Sequence, residues 1–247
     1  MKKSFSLIEL VIVIVIIGIL YSSVNFSLNN TTLNQAADQI ISHINYTRHL
    51  AIKDNKMQYY PTSSNIIELN RSKYWFKQWW QIRFTQNTSN PKDWWYEVFT
   101  DLPYDNKTSN FDRLGKNPTN GYEATFAKNP LNKKYLTGKC GSGFPDCEDI
   151  DNRLNLTKTY SIVKIIFTNF KNEQRLLFDS YGNVYLREGD YDKNNGGGDQ
   201  GDINPYDKDK RVPLLKKAII TLCNDDKCEK NISICISPKI GNAYLCK

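Results

Sequence analysis

Three groups of residues carry chemistry in this chain. Glu9 is the sole ionisable side chain between Phe5 and Leu20, in a run made otherwise of apolar residues, Ser6 and Gly18. An acid inside an apolar segment is costly to bury, so it marks a functional position with a partner. The second group is the loop Glu188–Asp202, where Asp190, Asp192, Asn194, Asp199 and Asp202 stand among glycines. Oxygen ligands spaced along a tightly curving loop suit calcium. The register departs from an EF-hand, since its glycine comes one residue late and no glutamate closes it. A solvated loop is therefore the competing reading. The third group is six cysteines, Cys140, Cys147, Cys223, Cys228, Cys235 and Cys246, an even number with no Cys-x-x-Cys. Zinc and dithiol redox chemistry are disfavoured, and His43 and His49, six apart, do not share a helix face. Disulfides between chain neighbours, Cys140–Cys147, Cys223–Cys228 and Cys235–Cys246, are one of fifteen pairings. The last pair stands about a turn near Gly241, and the middle pair closes the turn before it. Asn231-Ile232-Ser233 is a glycosylation sequon of a kind that Asn-rich chains also produce by chance. Nothing resembles a nucleophile elbow, a phosphate loop or a zinc-protease helix, so an enzyme is not expected.

These residues need elements to hold them. In Phe5–Leu20, about a dozen Ile, Val, Leu and Phe side chains at roughly −0.3 to −0.6 kcal/mol each outweigh one acid at roughly +3. The segment inserts in a membrane despite Glu9, as a signal peptide, a plain anchor or something more specialised. Lys2 and Lys3 precede it, and no Ala-x-Ala cleavage site follows it. Beyond Tyr21, Leu33, Ala37, Ile40 or Ile41, Ile44 and Ala51 recur at helical spacing, opposite Asn34, Asp38, Ser42, Asn45 and Arg48. One helix to about Asn55 is predicted, with Arg48 and His49 on its solvent side.

Strands are predicted at Ile66–Leu69, Tyr74–Phe84, Trp94–Phe99, Tyr160–Phe167, Arg175–Phe178, Ala218–Leu222 and Ile232–Ile236. Residues 101–157, rich in Asn, Lys and Pro, read as an irregular excursion. All five tryptophans are interleaved with Arg71, Lys73, Lys77, Arg83 and Lys92. That mixture suits stacking of single-stranded nucleic acid. Adjacent tryptophans on a strand point to opposite faces, so half of them are expected in the core. The net charge of +7 and pI near 8.9 are mild and spread along the chain.

Lys3-Ser4-Phe5-Ser6-Leu7-Ile8-Glu9-Leu10 resembles the processing signal of type IV pilins and pseudopilins. Two further stretches resemble the H-type minor pseudopilins: Arg48-His49-Leu50-Ala51-Ile52-Lys53-Asp54-Asn55, and Trp95 to Asp101. So does the Phe178-Asp179-Ser180-Tyr181-Gly182 turn. The resemblance implies that a prepilin peptidase/methyltransferase removes residues 1–4, cutting between Ser4 and Phe5, and N-methylates Phe5. Glu9 is then the fifth mature residue and pairs with the N-terminal amine of a neighbouring subunit. Where the family usually has Gly before the cut, this chain has Ser4. Some pseudopilins hold calcium in a loop between late strands, which adds weight to Asp190–Asp202; no other cofactor is implied.

The expected fold is thus α+β: a long N-terminal helix, its first half membrane-embedded, packed on an antiparallel β-sheet domain with a disulfide-bonded C-terminal region. Residues 5–21 form the transmembrane and assembly half, 22–57 the amphipathic half, and 58–247 a periplasmic globular domain. The expected function is a minor pseudopilin of a type II secretion or pilus-like DNA-uptake filament. Its partners would be other pilins or pseudopilins and an inner-membrane assembly platform. The alternative is a DNA- or ligand-binding pilin using the basic aromatic face. DNA-binding relatives carry an Arg-rich tail, and Ser237–Lys247 contains no arginine.

Overall fold

The computed structural model describes residues 7–54, 79–100, 126–141, 144–171, 174–187 and 211–246, with side chains omitted at 20–31. The chain is α+β. Helix α1 (Leu7–Lys53) leads, followed by β1 (Trp80–Gln86) and β2 (Trp94–Thr100). A single 3-10 turn (Asn152–Leu154) and a short helix α2 (Leu156–Tyr160) precede β3 (Lys164–Thr168), β4 (Arg175–Phe178) and β5 (Val184–Arg187). The last strands are β6 (Arg211–Pro213), β7 (Ala218–Cys223), β8 (Asn231–Ile236) and β9 (Ala243–Leu245). Two antiparallel sheets form, in the orders β2-β1-β4-β5-β6 and β3-β7-β8-β9.

Both sheets contribute to one core beneath the second half of α1. Leu33, Ala36, Ala37, Ile40, Ile44, Thr47 and Ala51 are buried, a stripe repeating at three and four residues. That spacing puts them on one face of a 3.6-residue helix. Thr47 is the polar member, and its hydroxyl donates to the His43 carbonyl one turn back at 2.6 Å. Opposite the stripe lie Ile82, Phe84, Tyr96, Val98, Leu176 and Phe178 from the first sheet, and Ile220, Ile234 and Ile236 from the second. Removing a side chain such as Ile40, fully buried here, costs about 2–5 kcal/mol.

Among the described residues no helix is both long and apolar enough to cross a membrane. The described apolar stretch of α1, Leu7–Ile19, spans about 20 Å at 1.5 Å per residue, against about 30 Å of hydrocarbon.

Edge strand β2 is buried along its whole length. Its outer edge is covered by the segment expected to be an excursion. The Val98 amide donates to the Leu136 carbonyl, the Ala127 amide to the Val98 carbonyl, and the Gly138 amide to the Tyr96 carbonyl, at 2.9, 2.9 and 3.1 Å. Covering an edge in this way removes a template for unwanted strand pairing. Gly138 lies so close to this wall that a Cβ there would meet the Leu154 backbone at 2.5 Å. The described part of 101–157 is therefore irregular in hydrogen bonding yet part of the core, with Phe126, Leu136, Ile150, Leu154 and Leu156 buried.

Several expectations need correction. Tyr160–Phe167 is not one strand: Leu156 and Tyr160 are buried one turn apart on α2, which Asn155 caps by accepting from the Lys158 amide. Ser161 then turns the chain with φ of 57°, and the strand begins at Lys164. The adjacent pair Trp94 and Trp95 does not divide between core and solvent. Both are buried, because α1 and β3 cover one face of β2 and residues around Lys139 and Asn155 cover the other. The predicted strand Tyr74–Phe84 is described from Trp79 onward, and there the strand runs from Trp80 to Gln86; Ile66–Leu69 lies outside the described residues.

Candidate functional site

Helix α1 carries two sites of contrasting chemistry. The first is its N-terminal stretch. Leu7, Ile8, Leu10, Val11, Ile12, Val13, Ile14, Val15, Ile16, Ile17 and Ile19 are all between 44% and 82% exposed. Consecutive β-branched and leucine side chains put apolar surface on every side of the helix, which no ordinary solvated helix has. Glu9, also exposed, lies in the first turn of this stretch, where a carboxylate complements the helix dipole. Ser4 and Phe5 fall outside the described residues.

The second site is a cleft of about 470 Å³ on the polar side of the packed half of α1. Gln35, Asp38, Gln39, Ser42, His43 and Tyr46 line one wall, again at three- and four-residue spacing. Asn129, Pro130, Leu131, Arg153 and Tyr160 form the other. A chain of hydrogen bonds fixes its floor. Tyr160 Oη donates to Gln39 Oε1 at 2.7 Å, and Gln39 Nε2 donates to Tyr96 Oη at 2.7 Å and to the Arg153 carbonyl at 3.0 Å. Tyr96 Oη meets His43 Nδ1 at 2.7 Å. Since Tyr96 already accepts from Gln39, its proton is assigned to the bond with Nδ1, leaving the His43 proton on Nε2.

Burial pulls His43 down to about 4, against the attraction of Asp151 and with help from the repulsion of Arg153. Protonating Nδ1 would also turn two donors toward Tyr96. Arg153 is clamped by Asp151 through Nε to Oδ1 at 2.9 Å and Nη2 to Oδ2 at 2.7 Å, and Asn129 donates to the same carboxylate at 2.8 Å. Burial of Asp151 opposes its ionisation, but these bonds outweigh it and hold the carboxyl at about 2. Burial also raises the phenols of Tyr96 and Tyr160.

Around these sites the sequence-predicted residues are distributed as follows. The three neighbour disulfides are formed, with Cα separations of 5.0 Å for Cys140–Cys147, 4.9 Å for Cys223–Cys228 and 5.2 Å for Cys235–Cys246. Asp190, Asp192, Asn194, Asp199 and Asp202 lie outside the described residues. Among the described residues no group of three or more His, Cys, Asp or Glu side chains is placed to hold a metal. Asn231, exposed at the start of β8, donates to the Cys228 carbonyl at 2.8 Å.

Of the basic aromatic residues, Trp79 is half-buried against Tyr185, with the Arg211 guanidinium over its ring at 4.0 Å. Trp80, Trp94 and Trp95 are buried, Arg83 is held by Glu97 at 2.6 Å, and Lys92 pairs with Asp226 at 2.6 Å. Arg71, Lys73 and Lys77 lie outside the described residues. His49 is solvent-exposed as expected, but Arg48 and Asn45 are not free on the helix surface. Arg48 Nε donates to the Gly182 carbonyl at 3.1 Å. Gly182 takes φ of 78° beside Ile52, in a β4–β5 turn whose Asp179 accepts from the Tyr181 and Asn183 amides. Asn45 exchanges two bonds with the Ala243 backbone, at 3.2 and 3.1 Å.

Sequence reasoning missed the cleft. Its one local signal is the polar stripe at 35, 38, 39, 42, 43 and 46, which reads equally well as a solvated face. Compared with known proteins, the chain matches no family model, no curated protein and no solved structure.

Proposed function

We propose that this protein is a minor pseudopilin: a structural subunit that waits in a membrane by its N-terminal helix and joins a type II secretion or DNA-uptake filament. The observation that carries the reading is the stretch Leu7–Ile19, apolar on all sides with a single carboxylate in its first turn. Such a stretch needs lipid or other helices around it, and the acid needs a counter-charge once lipid surrounds it. Cleavage between Ser4 and Phe5 would create that counter-charge as an N-terminal ammonium, and Glu9 of one subunit would pair with the amine of the next. The residues from Tyr21 to about Leu33 would complete the passage from bilayer to the periplasmic domain. Three disulfides are in keeping with an oxidising compartment.

The test is Glu9→Gln in the native host. Processing at Ser4–Phe5 is expected to proceed, because the carboxylate is not part of the cut bond, whereas incorporation into cross-linked filament fractions falls at least tenfold. Normal incorporation of the processed variant rules the pairing out. Absence of any cleavage between Ser4 and Phe5 in the wild-type chain rules out the pseudopilin assignment itself.

A further inference from the structure

The cleft beside α1 has no part in the stem's chemistry. Its floor is built: Gln39, His43, Arg153 and Tyr160 are each held by hydrogen bonds to Tyr96, Asp151 or one another. Its rim is not committed. Gln35, Asp38 and Ser42 are exposed, and none of their side chains makes a hydrogen bond or ion pair with another described residue. His43 uses only Nδ1, and its Nε2 has no protein partner among the described residues.

The chemistry of the lining selects among ligands. Donors (His43 Nε2–H, the Gln35 amide and the remaining Arg153 N–H groups) alternate with acceptors (the Asp38 carboxylate and Gln35 carbonyl), and Ser42 is both. An anion would meet the unpaired Asp38, and a cation would meet an Arg153 already in position. A hydroxyl satisfies both kinds of group, because it donates and accepts at one atom. Beside these groups stand Tyr46, Tyr160, Pro130 and Leu131, the last 90% exposed, which offer apolar surface to the flat face of a ring. The volume of about 470 Å³ falls in the range of small-ligand clefts, roughly 300–1,000 Å³. We infer that this cleft binds an uncharged saccharide. Asp38 and Ser42 would take its hydroxyls, the fixed Gln39–His43–Arg153 floor would orient it, and Tyr46 and Leu131 would pack against its ring.

The experiment is saturation-transfer NMR on the full chain in a zwitterionic detergent, since a maltoside headgroup would itself present sugar. The probes are glucose, galactose, mannose, N-acetylglucosamine, cellobiose, lactose and chitobiose, with inorganic phosphate as the anionic comparison. At least one sugar is expected to show transfer to its ring protons, and its affinity is expected to fall about tenfold or more in Asp38→Ala. Ser42→Leu, which obstructs the cleft from an exposed position, is expected to do the same, while Asn34→Ala, exposed on the same helix, leaves binding within twofold. The inference is overturned if none of the sugars shows transfer. It is equally overturned if phosphate displaces the bound sugar, or if both cleft variants bind within twofold of the parent at unchanged melting temperature. Because these readouts concern the domain alone, they stand or fall separately from the Glu9→Gln filament result.

Discussion

The two halves of helix α1 obey opposite rules. From Leu7 to Ile19 apolar side chains surround the axis and all are exposed; from Thr32 to Asp54 most of them form one buried stripe, with Ile41, Tyr46 and Leu50 half-buried at its margins and Ile52 exposed, and the remaining positions are polar. The backbone is the same in both. What differs is the sequence period, continuous in the first half and close to 3.6 in the second, and with it the surroundings each half requires. The first half is left exposed by the chain; the second is packed on the chain's own sheets. One helix can therefore be an intermolecular element at one end and a core element at the other, with its polar positions free to build a cleft.

The same substitution placed in each half gives the sharpest separation. Ile40→Ala is expected to cost about 2–5 kcal/mol in chemical denaturation of the chain in detergent, because it leaves a cavity between α1 and the sheets. Ile14→Ala is expected to leave that stability within about 0.5 kcal/mol, as its side chain is 60% exposed and no part of the buried core. Equal losses in the two variants would break the division.

Acid tests the polar side of the packed half. As pH falls through 6.5 the unfolded chain protonates His43, whereas the folded chain resists until about 4, so stability is lost across that window. The loss is at most about 3 kcal/mol. Asp151 extends the trend below 3.8 as its carboxyl is forced to protonate near 2. In His43→Gln the slope between pH 7 and 4 should flatten while the steeper fall below pH 4 remains; an unchanged slope would show that His43 does not govern it. A smaller loss is expected at Asn45→Ala, about 1 kcal/mol for the two bonds to Ala243, read as a shift in the denaturation midpoint without a change in its slope.

What could be read from the sequence were features with a local period or a short span. The buried stripe of α1, the strands from Trp94 and Arg175, and three disulfides that each close a short loop all belong here. What could not be read depends on residues far apart in the chain. The Gln39–Tyr96, His43–Tyr96 and Gln39–Tyr160 bonds span 57, 53 and 121 positions, so no window of sequence contains both partners. The burial of both Trp94 and Trp95 was hidden for the same reason. A strand's two faces alternate, but whether each face is covered depends on segments elsewhere, here the stretch around Leu136 and Leu154. Tyr160 was misplaced because a one-turn helix and a strand end look alike when only two apolar residues report the period.

Asn45 and Ala243 are separated by 198 positions, and β8 and β9 both lie against α1. During synthesis, the stripe from Leu33 to Ala51 thus emerges long before the strands that complete its cover. Until β8 and β9 arrive, Ile40 and Ile44 lack part of their packing, and closing so large a loop is slow relative to local structure. Until those strands emerge the nascent domain would expose a greasy helical edge, and sealing of the core waits for β8 and β9.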